Sequence, residues 1–457
     1  MLHTLYGDGV HDDYWPFQLA LDLAEIKGGG TIFVPVGTYK ISRALRIPKG
    51  VTLKGDSPII TDGNAKNAQG TVLYAYSGRG LQDDENFLQM EIGAGVQNLS
   101  IYYPKQDPNN IVPYSYTIKQ KGHYGISVNN VNLVNSYNGI AMGHDQNALQ
   151  NIVNLTGCIL NNGILLDQNV DLCRMENIHF STEYWTESGL VNFSNSTKEN
   201  IKNYTRNNAV GLKLQHIDWV YLNDVYVDDM NIGIRFMQSE KGEGYNGGPN
   251  GHVYNFNLVN CVYGVRVDYV NAIGMMFTKG YVKAQTPFGF DAGFANSATI
   301  NSTTFVTTGN YGLQSAGNGD ITLDQCTFIN ENTSSTSTAI SLTNGSFSAT
   351  NSTSKNYTYD VSLSNSARAS KVINFNTSST LKKQGNVSLL SAVWNEDYTT
   401  PGYIEKDYNQ QLITRPSSTN FIDITTYIYS GDTSNGVAGK LQSAIDTLHA
   451  NGGGIVY

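Results

Sequence analysis

Residues 5–53 read LYGDGVHDDYWPFQLALDLAEIKGGGTIFVPVGTYKISRALRIPKGVTL, and the opening of that stretch is written again at the far end, where residues 429–457 read YSGDTSNGVAGKLQSAIDTLHANGGGIVY. Laid together without a gap, they pair Gly7-Asp8 with Gly431-Asp432, and Gln18, Ala20 and Asp22 with Gln442, Ala444 and Asp446. Gly28-Gly29-Gly30 falls on Gly452-Gly453-Gly454, while Phe17/Leu441, Leu21/Ile445, Ile32/Val456 and Phe33/Tyr457 keep apolar character in register. Self-similarity at such a distance implies two copies of one domain type, the second breaking off at its first strand. Within the first copy, Phe17, Ala20, Leu21 and Ala24 fall on one face at helical spacing. Asp12 or Asp13 is placed to accept from the first turn, and Pro16 suits that turn because it lacks a donor. The triple glycine stops the helix, and residues 31–34, 39–41 and 51–53 read as short strands. A helix followed by many short strands fits one end of a parallel β-helix, the helix covering an apolar bore that would otherwise meet water.

From about Val51 to Val372 a short strand, a turn, an Asn-bearing strand and a Gly followed by Ile or Val recur. Gly139-Ile140 to Gly163-Ile164 is 24 residues, and Gly233-Ile234 to Gly264-Val265 is 31. Those spacings bracket one turn of a three-sided coil, and the repeated asparagines suggest amide ladders at its corners. Three insertions break the rhythm, at 103–120, 182–208 and 238–251, each read as a loop walling a groove. Beyond Asn330 the composition turns to Ser, Thr and Asn, and 391–420 reads as a linker. The expected organisation is a β-helix over 1–390, that linker, and the truncated start of a second β-helix over 421–457.

The opening stretch resembles the N-terminal signature of the pectate-lyase-like β-helix superfamily. The residues that carry the likeness are Gly7-Asp8-Gly9, Asp12-Asp13, Gln18, Ala20, Asp22, Gly28 to Gly30, Pro35, Gly37, Tyr39, Gly50 to Leu53 and Gly55. That superfamily includes family 55 glycoside hydrolases, rhamnogalacturonase-related proteins and many phage tailspikes. The resemblance implies an all-β, right-handed parallel β-helix and an activity on polysaccharide. The doubled signature is similar to family 55 β-1,3-glucanases, which carry two β-helices in one chain. By that likeness the general acid lies on the second β-helix, beyond Tyr457. The function implied is glycoside hydrolysis of a β-glucan-type polysaccharide, with two alternatives. One is a lyase or polygalacturonase-like enzyme on an acidic glycan; the other is a non-catalytic, tailspike-like binding module.

The 457 residues carry a net charge of −9 and only 15% charged residues. An acidic chain argues against nucleic acid and anionic membrane surfaces as partners, and no apolar run is long enough for a membrane helix. The resemblance implies a secreted protein, yet no basic-then-apolar leader precedes the fold, so the expectation is a leader removed or a clipped reading frame. Cys158, Cys173, Cys261 and Cys326 lack metal-ligand spacing and read as buried thiols lining the bore. No cofactor is expected, unless a lyase reaction calls for calcium held by carboxylates.

Three groups of residues are candidates for chemistry. Asp228-Asp229 lies one coil before Gly251-His252, at a distance similar to the Asp-Asp and Gly-His-Gly of polygalacturonase-like enzymes. The Asn-Thr-Asp and Arg-Ile-Lys of that pattern are missing. A carboxylate pair can serve as acid and base across a glycosidic bond; the alternative is a turn in which Asp pairs with Arg235. Arg235 and Arg266 each stand two residues after a repeat Gly, so they should stack on adjacent coils, neutralised by Asp228, Asp229 or Asp268, or by a uronate. The third group is aromatic and acidic: Glu183, Tyr184 and Trp185, with Asp218 and Trp219 one coil beyond. Sugars stack their C–H faces on such rings. Trp185 reads as the better sugar platform, Glu183 as a further catalytic carboxylate, and His144 and Gln146 as lining the same groove.

Overall fold

The computed structural model describes residues 5–59, 70–81, 86–143, 146–242, 244, 246–332, 336–377, 382–385, 387–389, 421–422, 434–450 and 455–456. Its body is a parallel β-helix: 30 strands join in one continuous ladder that winds through three faces, here sheets A, B and C in chain order. On sheet A, Val128, Ile152, Met175, Leu222, Val253, Phe277, Ile300 and Leu323 sit in register on successive coils. Val131, Leu155, Ile178, Val225 and Phe256 do so on sheet B. Sheet C stacks Ile140, Ile164, Leu212, Ile234, Val265, Phe288 and Leu313. All are buried in one core, because strand alternation sends every second side chain into the bore. Rings continue the stacking inside, with Phe305 and Phe328 4.3 Å apart and nearly parallel.

Two sequence rhythms acquire physical reasons. The corner from sheet A to sheet B is a single residue with positive φ, occupied by Asn98, Asn130, Asn154, Asn177, Asp224, Asn255, Lys279, Ser302, Gln325, Asn351 and Asn374. Asparagine tolerates this left-handed conformation better than most side chains, and here it also bonds along the axis. Asn130 Nδ2 donates to Asn98 Oδ1 at 3.0 Å, Asn177 to Asn154 at 2.8 Å, and Asn374 to Asn351 at 2.8 Å. The Gly within five successive sheet C strands (Gly139, Gly163, Gly211, Gly233 and Gly264) has a different cause. A Cβ on Gly139 would stand 2.3 Å from the Gly163 carbonyl oxygen, and one on Gly163 equally close to Gly211. The glycines form a column because each coil's backbone touches the next.

Helix α1 (Tyr14–Ile26) closes the N-terminal end, burying Phe17, Gln18, Leu21 and Ala24. Gln18, not Ala20, completes the buried face. Its side-chain oxygen accepts from Arg46 N at 3.0 Å and its amide donates to Arg46 O at 3.2 Å, satisfying the edge of the strand Leu45–Ile47. Asp13 does not cap the helix by its side chain; fully buried, it accepts from Tyr6 N at 2.7 Å and Gly7 N at 3.2 Å. Asp12 Oδ1 takes Tyr14 N instead, at 3.2 Å.

The 182–208 insertion is helical rather than a loop: α2 (Glu183–Thr186) and α3 (Asn195–Asn208) lie over sheet B. They bury a second apolar cluster containing Val134, Cys158, Leu160, Trp185 and Ile201. Cys158 therefore sits outside the bore, whereas Cys173, Cys261 and Cys326 lie inside it; all four are free thiols. The 103–120 insertion ends in a sheet C strand, Tyr116–Gln120. Near the C-terminus, α4 (Ser434–Ala450) repeats an internal bond of α1: Gln442 Nε2 donates to Asp446 Oδ1 at 2.8 Å, as Gln18 does to Asp22 at 2.8 Å. The strand Ile455–Val456 pairs in parallel with Phe421–Ile422. The 391–420 linker lies outside the described residues.

Candidate functional site

The winding distributes the candidate residues over three faces instead of one groove. At the edge from sheet B to sheet C, Asp228 ends the strand Val220–Asp228 and Asp229 turns the corner with φ of 58°. Asp229 is buried and ion-paired to Arg206 of α3, with Lys202 Nζ 3.6 Å away. It therefore fastens the helical insertion to the coil, and its partner is not Arg235. Asp228 accepts from Asn260 Nδ2 at 2.8 Å. Burial, the neighbouring Asp229 charge and the more distant Glu183 push its carboxyl up to about 6, against the pull of Asn260 and Lys202. Glu183 is exposed on α2, and Tyr184 shares a 2.8 Å hydrogen bond with His179 Nδ1. Burial holds His179 neutral, down to about 3. Trp185 is 1% exposed and packs against Phe193 at 5.5 Å, so it is a core residue of the insertion and no sugar platform.

Asp218, Trp219 and His252 belong to sheet A and the corner before it. Trp219 is 47% exposed there, and His252 Nε2 meets Thr278 Oγ1 at 2.9 Å. Gln146 is exposed at the corner from sheet C to sheet A, where its carbonyl lies 3.2 Å from His123 Nδ1. His144 lies outside the described residues.

Sheet C carries a charged arrangement that runs over consecutive coils. Arg235 and Arg266 are ladder partners on adjacent coils, with Ile234 and Val265 inward, and Lys213 stands one coil before them. The anion between the arginines is Asp268: Arg235 Nε donates to Oδ2 at 2.7 Å and Arg266 Nε to Oδ1 at 2.9 Å. Arg266 also pairs with Asp291 and lies 5.4 Å from the centre of the Tyr263 ring. Lys213 reaches Glu240 of the 238–251 insertion at 2.7 Å. The two carboxyls touch and are driven apart. Burial works to raise Asp268, but hydrogen bonds from Asp291 and the arginines outweigh it and hold it below the usual range. Asp291 is raised by burial and by Asp268 more than Arg266 lowers it. The two carboxyls therefore titrate as a coupled pair, Asp268 the more acidic and Asp291 the more basic member.

Chain path singles out the same face. The 103–120 and 182–208 insertions leave from its B-side edge and the 238–251 insertion from its A-side edge. Sheet C is therefore the face bordered by the departure points of all three insertions, although α2 and α3 themselves fold back over sheet B. Asp228 and Asp268 stand at opposite ends of its strands, here Ile232–Phe236, roughly 13 Å long at about 3.3 Å per residue, so they do not act on one bond. Sequence reasoning found the arginines but weighed Asp268 only as their counter-ion and missed Asp291. The missed signal is periodic: Asp268 follows Val267 and Asp291 follows Phe290, ladder partners at the end of consecutive strands. Among the described residues, no three His, Cys, Asp or Glu side chains stand together as a metal site.

Ladder, corners and capping helix define a β-helix of the pectate-lyase-like kind. Among solved structures, bacteriophage phi29 gene product 12 matches 86% of this chain and 56% of its own, with a TM-score of 0.52 and 13% identity, a likeness of fold alone. The family model for rhamnogalacturonase A/epimerase, pectate lyase-like proteins matches residues 4–235, and the chain belongs to that family. Shorter similarities reach the mannuronan C5-epimerases of Azotobacter vinelandii. AlgE1 is 31% identical over 123 residues, 22% of this chain and 8% of that protein. AlgE4 is 38% identical over 82 residues, 15% of each. These matches span only a small part of the relatives' length.

Proposed function

We propose that the chain is a polysaccharide-acting enzyme that hydrolyses a glycosidic bond on sheet C, with Asp291 as acid and Asp268 as its ionised partner. The observation that carries this is the carboxyl pair itself: two groups in contact, on the face from whose edges the insertions leave, whose surroundings drive their proton affinities in opposite directions. Carboxyls that work across a glycosidic bond stand about 5 Å or about 6.5–9.5 Å apart, so the sugar must enter between them. Asp291 then protonates the departing oxygen, and Asp268 either attacks the sugar carbon or takes the proton of the attacking water. Arg235 and Arg266 keep Asp268 ionised and oriented. A neutral β-glucan outside the cell is the favoured substrate and setting, and 421–457 the opening unit of a second β-helix. The repeated Gln–Asp bond of α4 supports that last reading.

A second reaction has its own support. Lys213, Arg235 and Arg266 present cations on consecutive coils, and several relatives are C5-epimerases by name. Cations that neutralise a uronate carboxylate make its α-proton removable, which serves epimerisation or elimination on an acidic glycan.

The test is a panel of neutral glucans, pectin and mannuronan, read for reducing ends, unsaturated-sugar absorbance and uronate configuration. Asp291→Asn should lower turnover by about 100-fold or more, while Asp228→Asn should retain it. Silencing by Asp228→Asn with Asp291→Asn active would move the site to the other edge of the sheet. Chelation that abolishes turnover would mark a metal-dependent lyase.

A further inference from the structure

We propose that the Trp219 corner and the adjoining face of sheet A are a second, non-catalytic binding platform for a polysaccharide chain. The idea rests on the reading of polysaccharide as the substrate class, but it concerns a different face from the carboxyl pair. Its first support is backbone strain. Trp219 has φ of 59°, and among the described non-glycine residues with positive φ only Leu149 and Trp219 are apolar. A bulky side chain disfavours that conformation, and it persists only where the surroundings over-determine it. Here the clamp is Asn250, fully buried: its Oδ1 accepts from Trp219 N at 2.9 Å while its Nδ2 donates to Asp218 Oδ1 at 3.1 Å. The strain is not repaid by burial, since the ring stays 47% exposed.

The second support is what stands beside it. Tyr221, two residues on, points outward at 44% exposure, and Tyr254 on the next coil is 41% exposed. Tyr221 is the ladder partner of His252, and Asn223 the partner of Tyr254, so rings and hydrogen-bonding groups alternate across two strands about 4.8 Å apart. A sugar chain matches that alternation, apolar on its C–H faces and polar at its rim. A dry protein interface would want a continuous apolar patch in its core; on these two strands His252 and Asn223 interrupt the rings, while exposed Leu172 and Met276 stand at the margins.

The experiment is affinity electrophoresis of the whole chain through gels holding each polysaccharide of the panel, with turnover on a short soluble oligosaccharide measured in parallel. Trp219→Ala and Tyr254→Ala should each weaken retardation by roughly threefold to tenfold and leave turnover on the short substrate unchanged. Trp219→Gly should lose retardation equally yet unfold no lower than the wild type, because glycine relieves the positive φ. Unchanged retardation, no retardation of the wild type, a marked fall in the unfolding temperature of Trp219→Gly, or a wild-type oligomer that Trp219→Ala dissociates would each overturn the platform. Repeating the gels with Asp291→Asn separates the claims: turnover that survives that substitution overturns the sheet C chemistry without touching the binding result.

Discussion

Asp228 shows how a single carboxyl can be conspicuous in sequence and yet serve as a load on stability. Its folded-state proton affinity, raised to about 6 from 3.8, exceeds that of the unfolded chain, so folding takes up a proton between those values. The folded state is therefore favoured at pH below 4, and that advantage disappears as pH rises through 6. Asp228→Asn keeps the shape and removes the charge. It should stabilise the protein by about 1–3 kcal/mol at pH 7.5 and by little at pH 4. Urea unfolding at the two pH values measures this, and an equal effect at both would discard the argument. At this scale the sequence was half legible. An Asp-Asp pair advertises itself, but Arg206 and Lys202, which decide that Asp229 is an anchor, come from a distant insertion. Trp185 misled for the same reason, since nothing in its local sequence announces that Phe193 and Ile201 return to cover it.

Among the elements, the corners were the most legible, because one conformation selects one side-chain type. Asparagine at a left-handed corner both tolerates the backbone and bonds to the next coil, so it recurs often enough to be seen. Lys279 is the instructive exception, with φ of 61° between Asn255 and Ser302. Lys279→Asn should stabilise by about 0.5–2 kcal/mol, from relieved strain and a new rung. Lys279→Ala should give none of it, and equal urea midpoints for the two variants would rule out the rung. Helix α3 was least legible. Its sequence, NSTKENIKNYTRNN, has only Ile201 and Thr205 buried, too sparse a stripe for periodicity to register. The Ser194 side chain that accepts from Thr197 N at 3.2 Å was the available sign.

At the level of the molecule, the capping signature was enough for the architecture because its residues act locally: Gln18 seals a strand edge and Asp22 holds Gln18. The working face was harder to see. Which sheet becomes a groove depends on where insertions leave the coil, and the carboxyl pair is assembled from residues on neighbouring coils. The glycine column has one more consequence, for chemical ageing. Asn138-Gly139 and Asn162-Gly163 are the dipeptides in which a glycine N–H most readily attacks the preceding side-chain amide and converts it to aspartate. Here Asn138 is fastened by its donation to Tyr114 O at 2.9 Å, and both glycines are wedged between coils, so the ring-shaped intermediate cannot form without opening the ladder. Protein stored folded should keep both asparagines intact by peptide mass spectrometry, while the same protein stored in urea accumulates aspartate at both. Damage at equal rates in the two samples would contradict this. The stacking that sets the coil also sets its shelf life.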